Sequence, residues 1–382
     1  MANINISASP MVMPEYKIPE NYTADDLRAL CVKAMRDILS IPWTADKTYE
    51  YHNKWDLPKK LFSFGPGMQY ACLPYANAHT GIFQWYYHYD QETGVMSFPG
   101  DGQVWGETLG TVCANCILWA WSIVSNSMAG KFHSFTMSPA YNFQYPGDID
   151  VPAEIEDFRN HSTELICKAN GDEKILESYA AMLPADGLIS TPQVHAVMVV
   201  ENPVVVRNVD GTINAEQSTV MIQDQRGGQG DGFYERECDG TTLHFSGRID
   251  HIYSFKQLLD WCYIPVTCLE LQGKRPVEKV WLKFEGSTAS AREMLAGKIK
   301  TNYLLCTVEA LIVKPDGTKY RSGIRHYTKA DTELARPCDG VIYTLEEMIG
   351  DPLQNAKPGD QLRLEAKIAN GDLYVLGQAP VV

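Results

Sequence analysis

Residues 111–121 read TVCANCILWAW, and residues 194–200 read VHAVMVV. The first run is apolar on almost every face, the pattern of a helix buried at the centre of a domain. The second is short and β-branched, the pattern of a buried strand. From residue 186 onward the period stays strand-like. LIS, VHAVMVV, PVVVRNV and STVMIQD are separated by turns, with Asp210-Gly211 between the last two. One buried helix followed by an antiparallel sheet makes the fold class α+β.

Working outward from there, a helix is expected after Thr23, a residue type that caps helices. Asp25 and Asp26 fall in its first turn, and Leu27, Leu30, Cys31, Ala34, Met35, Ile38 and Leu39 recur at helical spacing up to Pro42. Residues 43–110 are rich in aromatics, Gly and Pro and read as loops and short helices. Residues 128–175 read as irregular, with a short helix near 171–182. This first domain is expected to span 1–267. The texture then changes: VEKVWLKFEG, NYLLCTVEALIVKPDG, TKYRSGIRHYT, DQLRLEAKI and DLYVLGQ read as strands. Turns at Pro315-Asp316-Gly317 and Asn370-Gly371-Asp372 divide them. Residues 268–382 are therefore expected to form a small β-sandwich accessory domain.

Composition narrows the function. With 45% hydrophobic and 21% charged residues, the 382-residue chain is no disordered polymer. A net charge of −14 with no basic cluster argues against nucleic-acid partners. No apolar run approaches the ~18–20 residues of a membrane span. MANINISASPMVMPEYKIP has no basic start and no apolar core, so no signal peptide is expected. The ten cysteines sit mostly in apolar stretches and are expected to be free thiols.

Three features carry chemistry. Cys113 falls at the start of the buried helix, His195 at the start of a strand expected to run to about Arg207, and Asp224-Gln225 at the end of the strand from Ser218. In an antiparallel pair the end of the second strand lies beside the start of the first, so Asp224 or Gln225 can reach His195. A helix N-terminus favours a thiolate and offers unpaired N–H groups to an oxyanion. An imidazole takes the thiol proton and returns it to the leaving group, and a third polar residue orients the ring. Cys113-x-x-Cys116 also fits a dithiol redox pair. A zinc site lacks a second such pair, and no cofactor is expected. His133, His244 and His251 are expected at packing or surface positions. Trp119 and Trp121 are expected in the core. Trp85, Tyr86, Tyr87 and Tyr89 form a cluster read either as packing or as a substrate-contacting surface. The Gly227–Gly232 stretch matches no phosphate-binding pattern and reads as a loop beside the site.

TVCANCILWAW resembles the nucleophile helix of the NlpC-type bacterial cell-wall cysteine peptidases: Cys, two small residues, two aliphatics, then aromatics. QYACLPY is similar to that family's tyrosine-bearing segment, LPADGLIS to its stretch before the histidine strand, and VHAVMVV to the histidine strand itself. The resemblance covers roughly 65–225. It implies a papain-like fold, a Cys113–His195–Asp224/Gln225 triad and Tyr75 in the site. It also implies cleavage of an amide or isopeptide bond in a peptide or peptidoglycan-like substrate, an extracellular or cell-envelope setting, and a second domain that tethers the enzyme. The chain departs from the family at Val112, where Asp is usual, and at Tyr75-Ala-Asn-Ala-His, where Y-x-W-G-G is usual. Papain is the rival resemblance, with Cys116 as nucleophile, although Ile117 stands where papain has Trp. A catalytically inactive member that binds wall or glycan ligands is the alternative function.

Overall fold

The structure, a computed structural model, describes residues 13–52, 60–76, 81–98, 109–128, 143–155, 162–226, 234–238, 240–327 and 340–382. The described residues form a mixed α+β protein of several sheets and few helices. They divide into two compact units. One holds the described residues of 18–125 and 132–277; the other holds those of 1–17, 126–131 and 278–382.

In the first unit, α1 (Ala24–Ser40) opens on a capping box. Thr23 Oγ1 accepts from the Asp26 N–H at 3.2 Å, and Asp26 Oδ2 accepts from the Thr23 N–H at 2.8 Å. Leu27, Cys31, Ala34, Met35, Ile38 and Leu39 face the core. The buried Arg28 reaches across to Asp186 (2.7 Å) and to the Pro184 carbonyl (2.6 Å). That fastens α1 to the turn ahead of residues 187–190, the strand that pairs with the histidine strand.

Residues 43–110 differ from the expected loops and short helices. They contain β1 (Pro42–Ala45), β2 (Tyr49–His52), β3 (Lys60–Phe64), β4 (Gln69–Ala71), the five-residue α2 (Ile82–Tyr86), β5 (Tyr89–Asp90) and β6 (Val95–Met96). These strands are too short to show an alternating pattern. Aromatic contacts hold them instead: Trp43 stacks on Tyr70 at 4.4 Å and meets Trp85 and Phe98 edge-on at 5.1 and 5.8 Å. Trp85 and Tyr87 are buried in this packing.

Next comes α3 (Cys113–Trp121), with all nine residues buried. After β7 (Phe143–Gln144), α4 spans Ser162–Ala180, longer than the helix expected near 171–182. It is broken at Gly171, whose φ of 74° interrupts the helical backbone. Then follow β8 (Gly187–Ser190), β9 (His195–Val199), β10 (Thr219–Gln225), β11 (Tyr234–Cys238), β12 (Thr241–Phe245), β13 (Gly247–Ser254), α5 (Phe255–Asp260) and β14 (Ile264–Cys268). The site-bearing sheet has the order β13-β10-β9-β8-β14-β7, while β11 and β12 join β4, β1, β6 and β5 in the other. Strand β9 ends at Val199 and not near Arg207: Pro203 cannot donate to a ladder. From there to β10 the chain keeps only the bridges Val204–Thr219 and Arg207–Ile213. Cys268 still pairs with Phe143, so β14 runs past residue 267 and the division between units falls after Val277.

The second unit holds β15 (Leu282–Glu285), α6 (Ala291–Leu295), β16 (Lys298–Thr301), β17 (Leu305–Val313), β18 (Lys319–His326), β19 (Val341–Thr344), β20 (Gln361–Ile368) and β21 (Leu373–Pro380). They form antiparallel sheets β18-β17-β20-β21 and β15-β16-β19. Leu362, Leu364, Ala366 and Ile368 alternate inward along β20, and Tyr343 of β19 is buried with them. Gly317 (φ 84°) and Gly371 (φ 94°) occupy the two turns expected from the sequence.

Candidate active site

Helix α3 begins at Cys113 with Val112 as its cap residue, which offers no side-chain acceptor. The first N–H groups of the helix are therefore not taken by a side-chain cap. The segment carrying Tyr75 is tied to this entrance. Thr111 donates to the Pro74 carbonyl (3.1 Å), Ala76 donates to the Thr111 carbonyl (3.0 Å), and Tyr75 and Thr111 form a parallel bridge. The approach requires glycine at 110, because a Cβ there would fall 2.2 Å from the Pro74 oxygen. The Tyr75 hydroxyl is 3.9 Å from Cys113 Sγ.

His195 is the first residue of β9. The tight turn before it uses Val194 at φ 48°, an unusual backbone for a β-branched residue, with its side chain 80% exposed. Pairing of Ile222 with Val199 and Gln223 with Met198 brings the end of β10 beside the start of β9. Asp224 Oδ2 then lies 2.6 Å from His195 Nε2. The other ring nitrogen, Nδ1, is left for Cys113, whose thiol the neighbouring His195 ring pulls down against burial. The N–H of Ala196 also points to this sulfur.

Asp224 is fully buried and has a second partner. Arg248 of β13 donates from Nε to Oδ1 (3.0 Å) and from Nη2 to Oδ2 (2.5 Å). A register shift between Ile222 and Asp224 sets Arg248 directly opposite the aspartate. The next residue pair needs Gly247, because a Cβ there would lie 2.5 Å from the Asp224 carbonyl oxygen.

Burial opposes the charge on all three residues. At Cys113 the hydrogen bond and charge of His195 outweigh burial and hold the thiol below its ordinary range. Burial also works against the imidazolium, yet Asp224 and Cys113 raise His195 to about 9. At Asp224, hydrogen bonds from His195 and Arg248 overcome burial and hold the carboxyl at about 2. The three shifts all run in the direction of a thiolate–imidazolium pair anchored on a carboxylate.

The structure thus brings together Cys113, His195, Asp224 and Tyr75. Gln225 points the other way: Nε2 donates to the Leu73 carbonyl (2.5 Å), and Oε1 accepts from the Cys72 thiol (2.8 Å). It orients no imidazole. Cys116 is fully buried one helical turn inside α3, and burial, then the charge at Cys113, push its thiol well up. The cysteines with described side chains are free thiols, Cys113 and Cys116 included. His244 packs near the Tyr70 ring and His251 edge-on against Tyr253 at 4.9 Å. His133 and the 227–232 loop lie outside the described residues. Among the described residues no group of His, Cys, Asp and Glu is arranged to hold a metal. A separate cavity of about 270 Å³, lined in part by Arg28, Asp186 and Leu271, shares no residue with the cysteine site.

Sequence reading missed Arg248. GRIDHIYS does not alternate, and nothing in its pattern singles out Arg248 as the partner of Asp224. No family model, curated protein or solved structure matches the chain.

Proposed function

We propose that the chain is a thiol hydrolase that cleaves an amide or isopeptide bond, with a papain-like first unit of the NlpC type. The observation that carries this reading is the placement of His195. Nε2 is fixed on Asp224 at 2.6 Å, and the ring acts on the Cys113 thiol at a helix N-terminus. A cysteine held only for packing needs neither a lowered thiol nor an oriented imidazole.

The chemistry follows from the geometry. Nδ1 of His195 holds the proton of Cys113, leaving Sγ as the nucleophile. Attack on the carbonyl carbon forms a C–S bond and places negative charge on the carbonyl oxygen. The first N–H groups of α3 are placed to receive that charge. Collapse breaks the C–N bond, and His195 gives its proton to the departing amine. Water, deprotonated by His195, then attacks the thioester and restores the free thiol. Asp224 keeps the imidazole in the Nε2–H tautomer throughout. Tyr75 stands at the sulfur, positioned to contact the reacting group.

The resemblance to NlpC-type enzymes supports peptidoglycan stem peptides as the substrate class, with the β-rich second unit as a tether. The test is a chloromethyl-ketone or acyloxymethyl-ketone probe of peptide amides. We expect stoichiometric labelling at Cys113, lost in Cys113→Ala and strongly reduced in His195→Ala. Equal labelling of the His195→Ala protein contradicts the proposal and favours an inactive, ligand-binding relative.

A further inference from the structure

Asp224 serves two cations at once. Its Oδ2 accepts from His195 Nε2 (2.6 Å) and from Arg248 Nη2 (2.5 Å), and its Oδ1 accepts from Arg248 Nε (3.0 Å). The same Nη2 donates to Tyr253 Oη at 2.5 Å, which fixes the guanidinium plane. The carboxylate is wholly out of solvent, and the guanidinium side chain is 18% exposed. On the proposed mechanism four charges then alternate in sequence: thiolate, imidazolium, carboxylate, guanidinium.

An aspartate alone beside an imidazolium brings a difficulty. Its charge raises the affinity of the ring for the second proton, at Nδ1, whereas a general acid must release that proton to a leaving amine. It also adds negative charge beside a thiolate, which raises the cost of ionising the sulfur. A two-point guanidinium contact offsets both effects without giving up the orienting carboxylate.

We propose that Arg248 is a positioning residue that sets the charge balance of the Cys113–His195 pair through Asp224. This rests on the thiol-hydrolase reading above.

Arg248 is the group whose charge must be tested, because the buried thiols and the buried phenol around Asp224 are shifted away from ionising near pH 7. Burial pushes up Cys116 from α3 and Tyr263 ahead of β14. It also pushes up Cys72, beside Gln225. His251, on the same strand as Arg248, is pushed down by burial and then by Arg248 and Arg226. Tyr75 and Tyr253 contribute hydroxyls to the sulfur and to the guanidinium.

The experiment measures the alkylation rate of Cys113 by iodoacetamide from about pH 4 to 10, read peptide by peptide. It uses the full chain as wild type, Arg248→Met and Arg248→Lys, with a melting temperature for each. Two inflections are expected: a lower one for thiolate formation and an upper one for loss of the imidazolium proton. Removing a positive charge raises both, so in Arg248→Met both move to higher pH, each by about one unit. Arg248→Lys restores the charge without the two-point contact and moves both back towards wild type. A residue that only braces β13 lowers the melting temperature and leaves the inflections in place; that result overturns the proposal. So does an upper inflection that moves to lower pH in Arg248→Met, since Asp224 has then lost its charge together with its partner. Failure of the parent reading shows separately, in the wild type: an unactivated Cys113 there leaves no ion pair to balance and removes both.

Discussion

Asp224 and His195 stand 29 residues apart in the chain and 2.6 Å apart in space, with Asp224 Oδ2 accepting from His195 Nε2. Two short antiparallel strands suffice to make that contact, although the chain between them is irregular for most of its length. The contact decides which ring nitrogen meets the sulfur, and so which of the two cysteines in Cys113-Ala-Asn-Cys116 can act.

Cys113→Ala is expected to abolish probe labelling and hydrolysis, a loss of at least about 10³-fold, of the order seen when a catalytic nucleophile is removed. Cys116→Ala keeps labelling at Cys113. It lowers stability by about 1 kcal/mol through loss of a small buried side chain. Paired activity and melting measurements on the two variants separate the roles.

Asp224→Asn and Gln225→Ala divide the two neighbours. Without the carboxylate charge, His195 falls from about 9, so the upper inflection of Cys113 alkylation moves to lower pH. Gln225→Ala leaves both inflections in place. It strips buried partners from the Leu73 carbonyl and the Cys72 thiol and costs about 1–3 kcal/mol in stability. A shifted profile in Gln225→Ala contradicts the assignment.

Acid stability carries the signature of Asp224. Its folded value, about 2, lies below the ordinary 3.8. The stabilisation is fully present above about pH 4 and is lost as pH falls through 2. A shift of this size corresponds to roughly 2 kcal/mol. Chemical denaturation between pH 5 and 2 is expected to show a shallower fall in Asp224→Asn than in wild type.

Gly247→Ala is expected to destabilise the site strand pair by about 1–3 kcal/mol. The added Cβ falls 2.5 Å from the Asp224 carbonyl oxygen and 2.8 Å from Leu39 Cδ2. Thermal melting reads the loss. An unchanged melting temperature contradicts the close approach of β13 to β10.

What the sequence made legible follows from element length and pattern. Helix α1 announced itself by Thr23, its acidic first turn and a regular apolar stripe, and α3 by nine successive residues suited to a core. Strands β9 and β10 are short β-branched runs, so the approach of His195 and Asp224 followed from pairing logic. The choice between Asp224 and Gln225 did not, because it depends on which face of β10 meets the ring. Arg248 was hidden for a related reason: a register shift aligns it with Asp224, and shifts of one residue leave no periodic trace. Strands β1 to β6 escaped notice because each is two to five residues long, too short for alternation to show, and β1 and β4 pack through the rings of Trp43 and Tyr70.

The most direct test of the central claim is the pH dependence of iodoacetamide alkylation of wild-type protein at Cys113 and Cys116. The account predicts fast reaction at Cys113, with its lower inflection below the ordinary thiol value of 9.0, an upper inflection near 9, and little reaction at Cys116. Slow reaction at both cysteines, rising only where an ordinary thiol ionises, would contradict it.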